Sequence, residues 1–201
     1  MLNSVPPHIG LMKMKNNRKK VIEDLTGGTG AWSEFYRRAG YKVVNITLPE
    51  YDITDEKTIK YCISLNPYGI LFAPPCTVWA GSGARWWADR TSDEIFKATR
   101  ILIAGLRIIY NSKPKFWALE NPVGKMRYLL GEPKLIFNPC DYGDPYTKKT
   151  LLWGNFNAPK KNSVKPLEGS KIHKYPPSEN RAMLRSITPR GFAKAFYEAN
   201  R

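Results

Sequence analysis

The chain lacks any apolar run of about 18 residues, so no membrane-spanning helix is predicted. It has only two histidines, and its three cysteines, Cys62, Cys76 and Cys140, stand far apart with no C-x-x-C pair. No metal site is expected from such a set. No Gly-x-x-x-x-Gly-Lys-Ser/Thr loop is present, which removes the usual support for nucleoside triphosphate chemistry. No internal repeat and no second-domain linker interrupts the 201 residues. Met1 to Lys20 has no apolar segment of the secretory kind, so a cytoplasmic address with reduced thiols is expected. Acids are scarce as well: 17 Asp and Glu face 32 Lys and Arg, a net charge of +15.

That imbalance points to a polyanionic partner, most simply nucleic acid. The excess is concentrated in two places. Lys13, Lys15, Arg18, Lys19 and Lys20 fall in a start without acids, and residues 157–185 hold seven basic residues against Glu168 and Glu179. Both stretches are poor in apolar residues and suit phosphate contacts. The expected organisation is a basic arm over 1–19 and a single domain over 20–201, with a basic loop region at 156–185. An apolar fraction of 42% is enough for one core.

Short apolar runs alternate with amphipathic stretches. Strands are predicted over Lys20–Leu25, Tyr41–Ile46, Gly69–Ala73, Lys115–Leu119, Lys134–Phe137 and Thr150–Trp153. Helices are predicted over Ala31–Ala39, Asp55–Leu65, Thr91–Tyr110 and Gly191–Ala199. The third helix has the strongest signal: Thr91 and Glu94 form a capping box, and Ile95, Ala98, Leu102, Leu106 and Ile109 share a face. Such alternation predicts an α/β fold with a doubly wound, mostly parallel sheet. In that architecture ligands bind at the carboxyl ends of the strands.

Three motifs fall at predicted strand ends. After the first strand, Asp24-Leu25-Thr26-Gly27-Gly28-Thr29-Gly30 lets the backbone turn tightly and approach a ligand. After the third, Pro74-Pro75 stiffen the backbone before Cys76, a candidate nucleophile. At the end of the fourth, Glu120-Asn121 sets a carboxyl beside an amide, a pair able to read the edge of a planar heterocycle. Each motif alone also fits an ordinary turn or a buried thiol.

In this order the three motifs resemble those of the DNA cytosine-C5 methyltransferase family, in its short phage or prophage form. The resemblance covers about residues 21–154, with a weaker echo at 188–200. It implies the Rossmann-like class I fold of S-adenosylmethionine-dependent methyltransferases. It also implies methyl transfer from that cofactor to C5 of cytosine in DNA, through a covalent Cys76–C6 intermediate. Catalytic roles then fall to Cys76, Glu120 and Asn121. Cofactor contacts fall to Asp24, Thr26, Gly28, Gly30, Trp32, Glu50, Asp52 and Pro74. Nucleic-acid contacts fall to Thr77, Trp79, Arg85, Lys148 and Lys149, with Trp86 and Trp87 nearby. The partner implied is duplex DNA with an everted cytosine, or a single strand, met by a monomer in a bacterial or phage-infected cell.

The sequence departs from the family in several places. Thr26 stands where a phenylalanine is usual, Pro122 replaces a valine, Thr77 a glutamine, and Lys148 and Thr150 replace arginines. Thr47 stands near the usual ribose-binding acid. The family's target-recognition domain has no counterpart longer than about 156–185, so sequence specificity should be short and phosphate contacts should dominate affinity. Transfer to RNA cytosine, transfer of a modified group from an altered cofactor, and a non-catalytic DNA-binding role on the same fold remain alternatives.

Overall fold

The structure, a computed structural model, describes residues 17–171 and 174–201. Lys13 and Lys15 of the basic arm lie outside the described residues. Six strands form one sheet: β1 (Val21–Leu25), β2 (Lys42–Ile46), β3 (Gly69–Phe72), β4 (Phe116–Pro122), β5 (Leu135–Phe137) and β6 (Thr150–Asn155). Their order is β2-β1-β3-β4-β6-β5. β1 pairs in parallel with β2 and β3, and β3 with β4, while β6 runs antiparallel between β4 and β5. The expected Rossmann-like α/β class with a mostly parallel sheet is therefore present.

The helices are α1 (Glu34–Arg38), α2 (Glu56–Ser64), α3 (Ser92–Ser112), α4 (Met126–Leu130), α5 (Arg181–Ser186) and α6 (Arg190–Ala199). Alternation along β1 explains why both faces are covered. Leu25 packs into a cluster with Ile59 and Cys62 of α2 and Leu102 and Ile108 of α3. Ile22 packs into a second cluster, with Tyr36 of α1 and Phe192 and Phe196 of α6. Side chains two apart on a strand share a face, and neighbours do not.

The predicted capping box starts α3: the Glu94 N–H donates to Thr91 Oγ1 at 3.2 Å, and the Thr91 N–H to Glu94 Oε2 at 3.0 Å. Two short helices, α4 and α5, were not predicted. The predicted first helix shrinks to five residues, with turns before it. β4 runs on to Pro122, so Glu120 and Asn121 lie within the strand rather than after it.

Among the described residues of 156–185, only Phe156 and Pro159 are buried, Phe156 in the cluster with Phe196. The segment lies along the loop after β5, with Asn162 N–H donating to Asp141 O, Val164 N–H to Cys140 O and Glu168 N–H to Pro145 O. No helix among the described residues is long and apolar enough to cross a membrane. No cluster of three potential metal ligands occurs among them.

Candidate active site

Parallel pairing sends the ends of β1, β2, β3 and β4 to one edge of the sheet. β6 reaches the same edge with its first residue, because Thr150 pairs with Pro122. Lys148, just before β6, thereby comes within charge range of Glu120.

The segment after β3 is clamped to the end of β4. Asn121 is fully buried, and its Nδ2 donates to the Pro74 carbonyl at 3.1 Å. The Gly81 N–H donates to Val123 O at 2.6 Å, and the Lys125 N–H to Trp79 O at 2.7 Å. Gly124 permits this contact, since a Cβ there would lie 1.8 Å from Trp79 O. Cys76 opens a turn in which its carbonyl accepts from the Trp79 and Ala80 N–H groups. The turn buries Val78, Trp79 and Ala80 and leaves Cys76 and Thr77 at the surface.

Desolvation and then the Glu120 carboxylate raise the Cys76 thiol above its ordinary value, while Lys148 and Arg185 pull it down. The side chain is nevertheless exposed, which limits the desolvation part. The resting form at neutral pH is the thiol. Glu120 is half-buried, and loss of water lifts its carboxyl above the usual range, with Lys148 opposing. Cys76, Glu120 and Lys148 therefore lie within charge-interaction range of one another. Lys148 is pinned there by donating from Nζ to Arg185 O at 2.9 Å.

The turn after β1 lies on the same edge. Asp24 is buried, and one oxygen accepts from Ser33 Oγ at 2.6 Å. Burial raises its carboxyl to about 6, against the pull of Ser33 and Arg37. Its Oδ1 has no partner among the described residues, and neither has the buried Oδ1 of Asn45, whose Nδ2 donates to Gly28 O at 3.0 Å. Gly27 sits against both: a Cβ there would lie 2.3 Å from Asp24 Cγ and 2.6 Å from Asn45 Oδ1. Gly28 has φ 49° with open space around it, and Gly30 has φ 69°. Thr26 links this turn to the segment leading to Cys76, its Oγ1 donating to Ala73 O at 2.7 Å.

Other expected residues fall elsewhere. Trp32 is buried against Phe192 and Phe196 at centroid distances of 6.1 and 5.5 Å, so it is a core residue and not a cofactor wall. Trp79 is likewise buried in the other core cluster and has no free face for a base. Both corrections have one cause: an aromatic ring suits a core as well as a ligand, and the hydrophobic term is the larger. Glu50 and Asp52 are exposed in the loop after β2, where Asp52 Oδ1 accepts from the N–H and hydroxyl of Thr54. Those two bonds hold its carboxyl below the usual range. Thr77, Arg85 and Lys149 are exposed, and Arg85 lies 5.1 Å from the Trp86 ring. Lys125 stands 4.3 Å from the Trp87 ring.

Sequence reasoning did not single out Asn45 or Arg185. Asn45 follows an ordinary strand pattern, and Arg185 reaches the site only by tertiary return of the chain.

No protein-family model and no curated protein matches the chain. One solved structure with a similar fold is described as a DNA modification methyltransferase encoded within a prophage of E. coli. The two share 17% identity with a TM-score of 0.48, over 80% of this chain and 49% of that one. The chain thus spans about half that protein's length, and no activity transfers at this level of similarity.

Proposed function

We propose that the protein transfers a methyl group from S-adenosylmethionine to C5 of cytosine in DNA, with Cys76 as the nucleophile. The observation that carries this reading is the joint placement of an exposed thiol, a carboxyl with raised proton affinity and a lysine at one sheet edge. Acyl transfer would instead call for a base beside the thiol, whereas the raised proton affinity of Glu120 suits a proton donor.

The turn at Gly27 suits the cofactor's amino group. Two buried acceptors without partners among the described residues, Asp24 Oδ1 and Asn45 Oδ1, suit an ammonium group, and Gly27 places no side chain against them. When bound, S-adenosylmethionine supplies an electrophilic methyl on a sulfonium.

In this reading, Cys76 loses its proton to solvent and its sulfur adds to C6 of cytosine. Glu120 in its protonated form hydrogen-bonds N3 and stabilises the charge that the addition places on the ring. C5, now enamine-like, takes the methyl. The C5 proton then leaves to a base and the C6–S bond breaks, restoring the aromatic ring and the thiolate. Asn121 positions the loop through Pro74. Lys148 favours the thiolate and lies where an everted nucleotide would enter. Exposed Thr77, Arg85 and Lys149 and the basic segment 156–185 supply phosphate contacts. In a duplex the base must leave the stack.

The test is DNA carrying 5-fluorocytosine, incubated with the protein and S-adenosylmethionine. Fluorine at C5 cannot leave as a proton, so the adduct persists and a peptide containing Cys76 becomes cross-linked to DNA. C76S should form no adduct. Methyl transfer that survives in C76S, or a product methylated at another atom, overturns the reading. Running tRNA in parallel separates DNA from RNA substrates.

A further inference from the structure

The chain between Thr77 and Arg90 leaves the nucleophile and returns to it. A Cβ on Gly83 would lie 3.7 Å from Thr77 O, and Arg90 Nη2 donates to the same carbonyl at 3.2 Å. Between these two contacts the segment carries Trp86, 52% exposed, with the Arg85 guanidinium 5.1 Å from its ring. The start of α4 is tied to the same segment, because the Gly81 N–H donates to Val123 O. It brings Lys125 to 4.3 Å from the Trp87 ring and, one helical turn on, Tyr128, 82% exposed. The neighbouring arginines are neutralised, Arg90 by Glu94 and Arg127 by Glu132. Arg85 and Lys125 form no ion pair among the described residues, and Asp89 is the single acid of 77–90. Bare rings interleaved with unpaired cations suit single-stranded nucleic acid, with bases on the rings and phosphates on the charges.

We propose that Trp86 and Tyr128 form a stacking platform for unpaired DNA beside the target cytosine, so that the substrate is single-stranded or locally melted DNA rather than closed duplex. This rests on the reading above that the Cys76 edge meets DNA. In a duplex the base faces are covered except where a base is everted, and that one gap takes one ring. Trp86 and Tyr128 stand on separate elements, so together they need two bases with free faces. Energetics point the same way. Everting a base from a duplex costs stacking and pairing, and the cost is least on a strand already unpaired. The segment 156–185, with only Phe156 and Pro159 buried among its described residues, offers no folded module whose contacts would offset that cost.

Fluorescence anisotropy of labelled DNA with the full chain, without cofactor, tests this. Three DNAs carry one cytosine in the same sequence: a single strand, a closed duplex, and a duplex opened by a bubble at the cytosine. The single strand and the bubble should bind about tenfold tighter than the closed duplex, or more. W86A and Y128A should each weaken binding of the two unpaired DNAs about tenfold, and W86F much less. Binding of closed duplex, circular dichroism and the salt dependence should not change, since no phosphate contact is removed. Abasic sites on both sides of the cytosine should weaken wild type more than W86A, because the variant has one stack fewer to lose. Closed duplex bound as tightly as the single strand overturns the proposal. So does a W86A or Y128A protein that loses all three DNAs alike, or a wild type indifferent to abasic flanks. Tighter binding of the same sequence as RNA overturns the choice of DNA. The 5-fluorocytosine adduct is read separately. Its absence in a protein that binds unpaired DNA through Trp86 removes methyl transfer and leaves the platform; its formation without these preferences removes the platform alone.

Discussion

The side-chain amide of Asn121 donates to the carbonyl of Pro74 at 3.1 Å, joining the end of β4 to the loop that presents Cys76. Both partners are buried, so no water replaces the bond. N121A should lower stability by roughly 1–3 kcal/mol, the usual cost of a buried acceptor left without its donor. Its effect on turnover should be larger, about a hundredfold, since a small displacement of a reacting group is costly. Thermal melting and kcat together check this, with binding of substrate DNA expected to change less.

Cys76 should report on its neighbours directly. The thiol is raised by Glu120 and lowered by Lys148, so alkylation by iodoacetamide at fixed pH should be faster in E120Q than in wild type and slower in K148M. In wild type the alkylation rate should keep rising with pH beyond the ordinary thiol range, since only the thiolate reacts. Methyl transfer in E120Q should nonetheless fall by roughly 10²–10⁴, the usual contribution of a general acid. An E120Q protein with slower alkylation would contradict the charge arrangement.

Gly27 and Gly28 should behave differently although they are adjacent. In G27A the new methyl meets the Asp24 carboxylate at 2.3 Å, so binding of S-adenosylhomocysteine should be lost. In G28A nothing stands within 4 Å, but φ is 49°, so the variant should cost about 1–2 kcal/mol of stability and still bind. Calorimetric titration beside thermal melting separates the two effects.

Glu23 lies one residue from Asp24 but faces the α2 side of the sheet. It is fully buried, with no hydrogen-bond partner for either oxygen among the described residues. Burial raises its carboxyl from 4.5 to about 8; burial first, and then the Glu23 charge, raise the Cys62 thiol to about 12. The folded chain therefore holds a proton that the unfolded chain releases above about pH 4.5. Below that pH both forms are protonated and there is no penalty. Between about 4.5 and 8 stability falls with rising pH, by about 1.4 kcal/mol per unit from this group. Above about 8 both forms are ionised and the slope ends. Asp24, raised to about 6, adds a slope of the same sign at lower pH. E23Q should remove the Glu23 part, so its stability relative to wild type should grow from pH 5 to pH 8 in urea titrations.

Much of this arrangement is legible in the sequence. The capping box of α3, the three strand-end motifs and the mostly parallel character of the sheet follow from periodicity and turn residues. The direction of β6 does not, because Thr-Leu-Leu-Trp reads the same for either orientation; only pairing with β4 decides it. α4 and α5 are too short to show a helical period. The burial of Trp32 and Trp79 depends on which partners approach them, α6 for the first and α3 for the second. Glu23 escaped notice because a carboxylate beside Asp24 looks like part of the same turn, although alternation sends the two to opposite faces. Arg185 depends on a return path that no local pattern encodes.

The reversal of β6 has a further consequence. The chain leaves the sheet at Asn155 on the edge away from Cys76, where the Asn200 side-chain amide accepts from the Asn157 N–H and donates to the Asn157 carbonyl. It returns to the Cys76 edge at Arg185, whose carbonyl accepts from Lys148 Nζ. Lys148 owes its place to strand pairing upstream of that excursion. The detour is thus a spare length of chain with fixed departure and arrival points. A longer excursion grafted into it would change the surface offered to an incoming strand and leave the chemistry untouched.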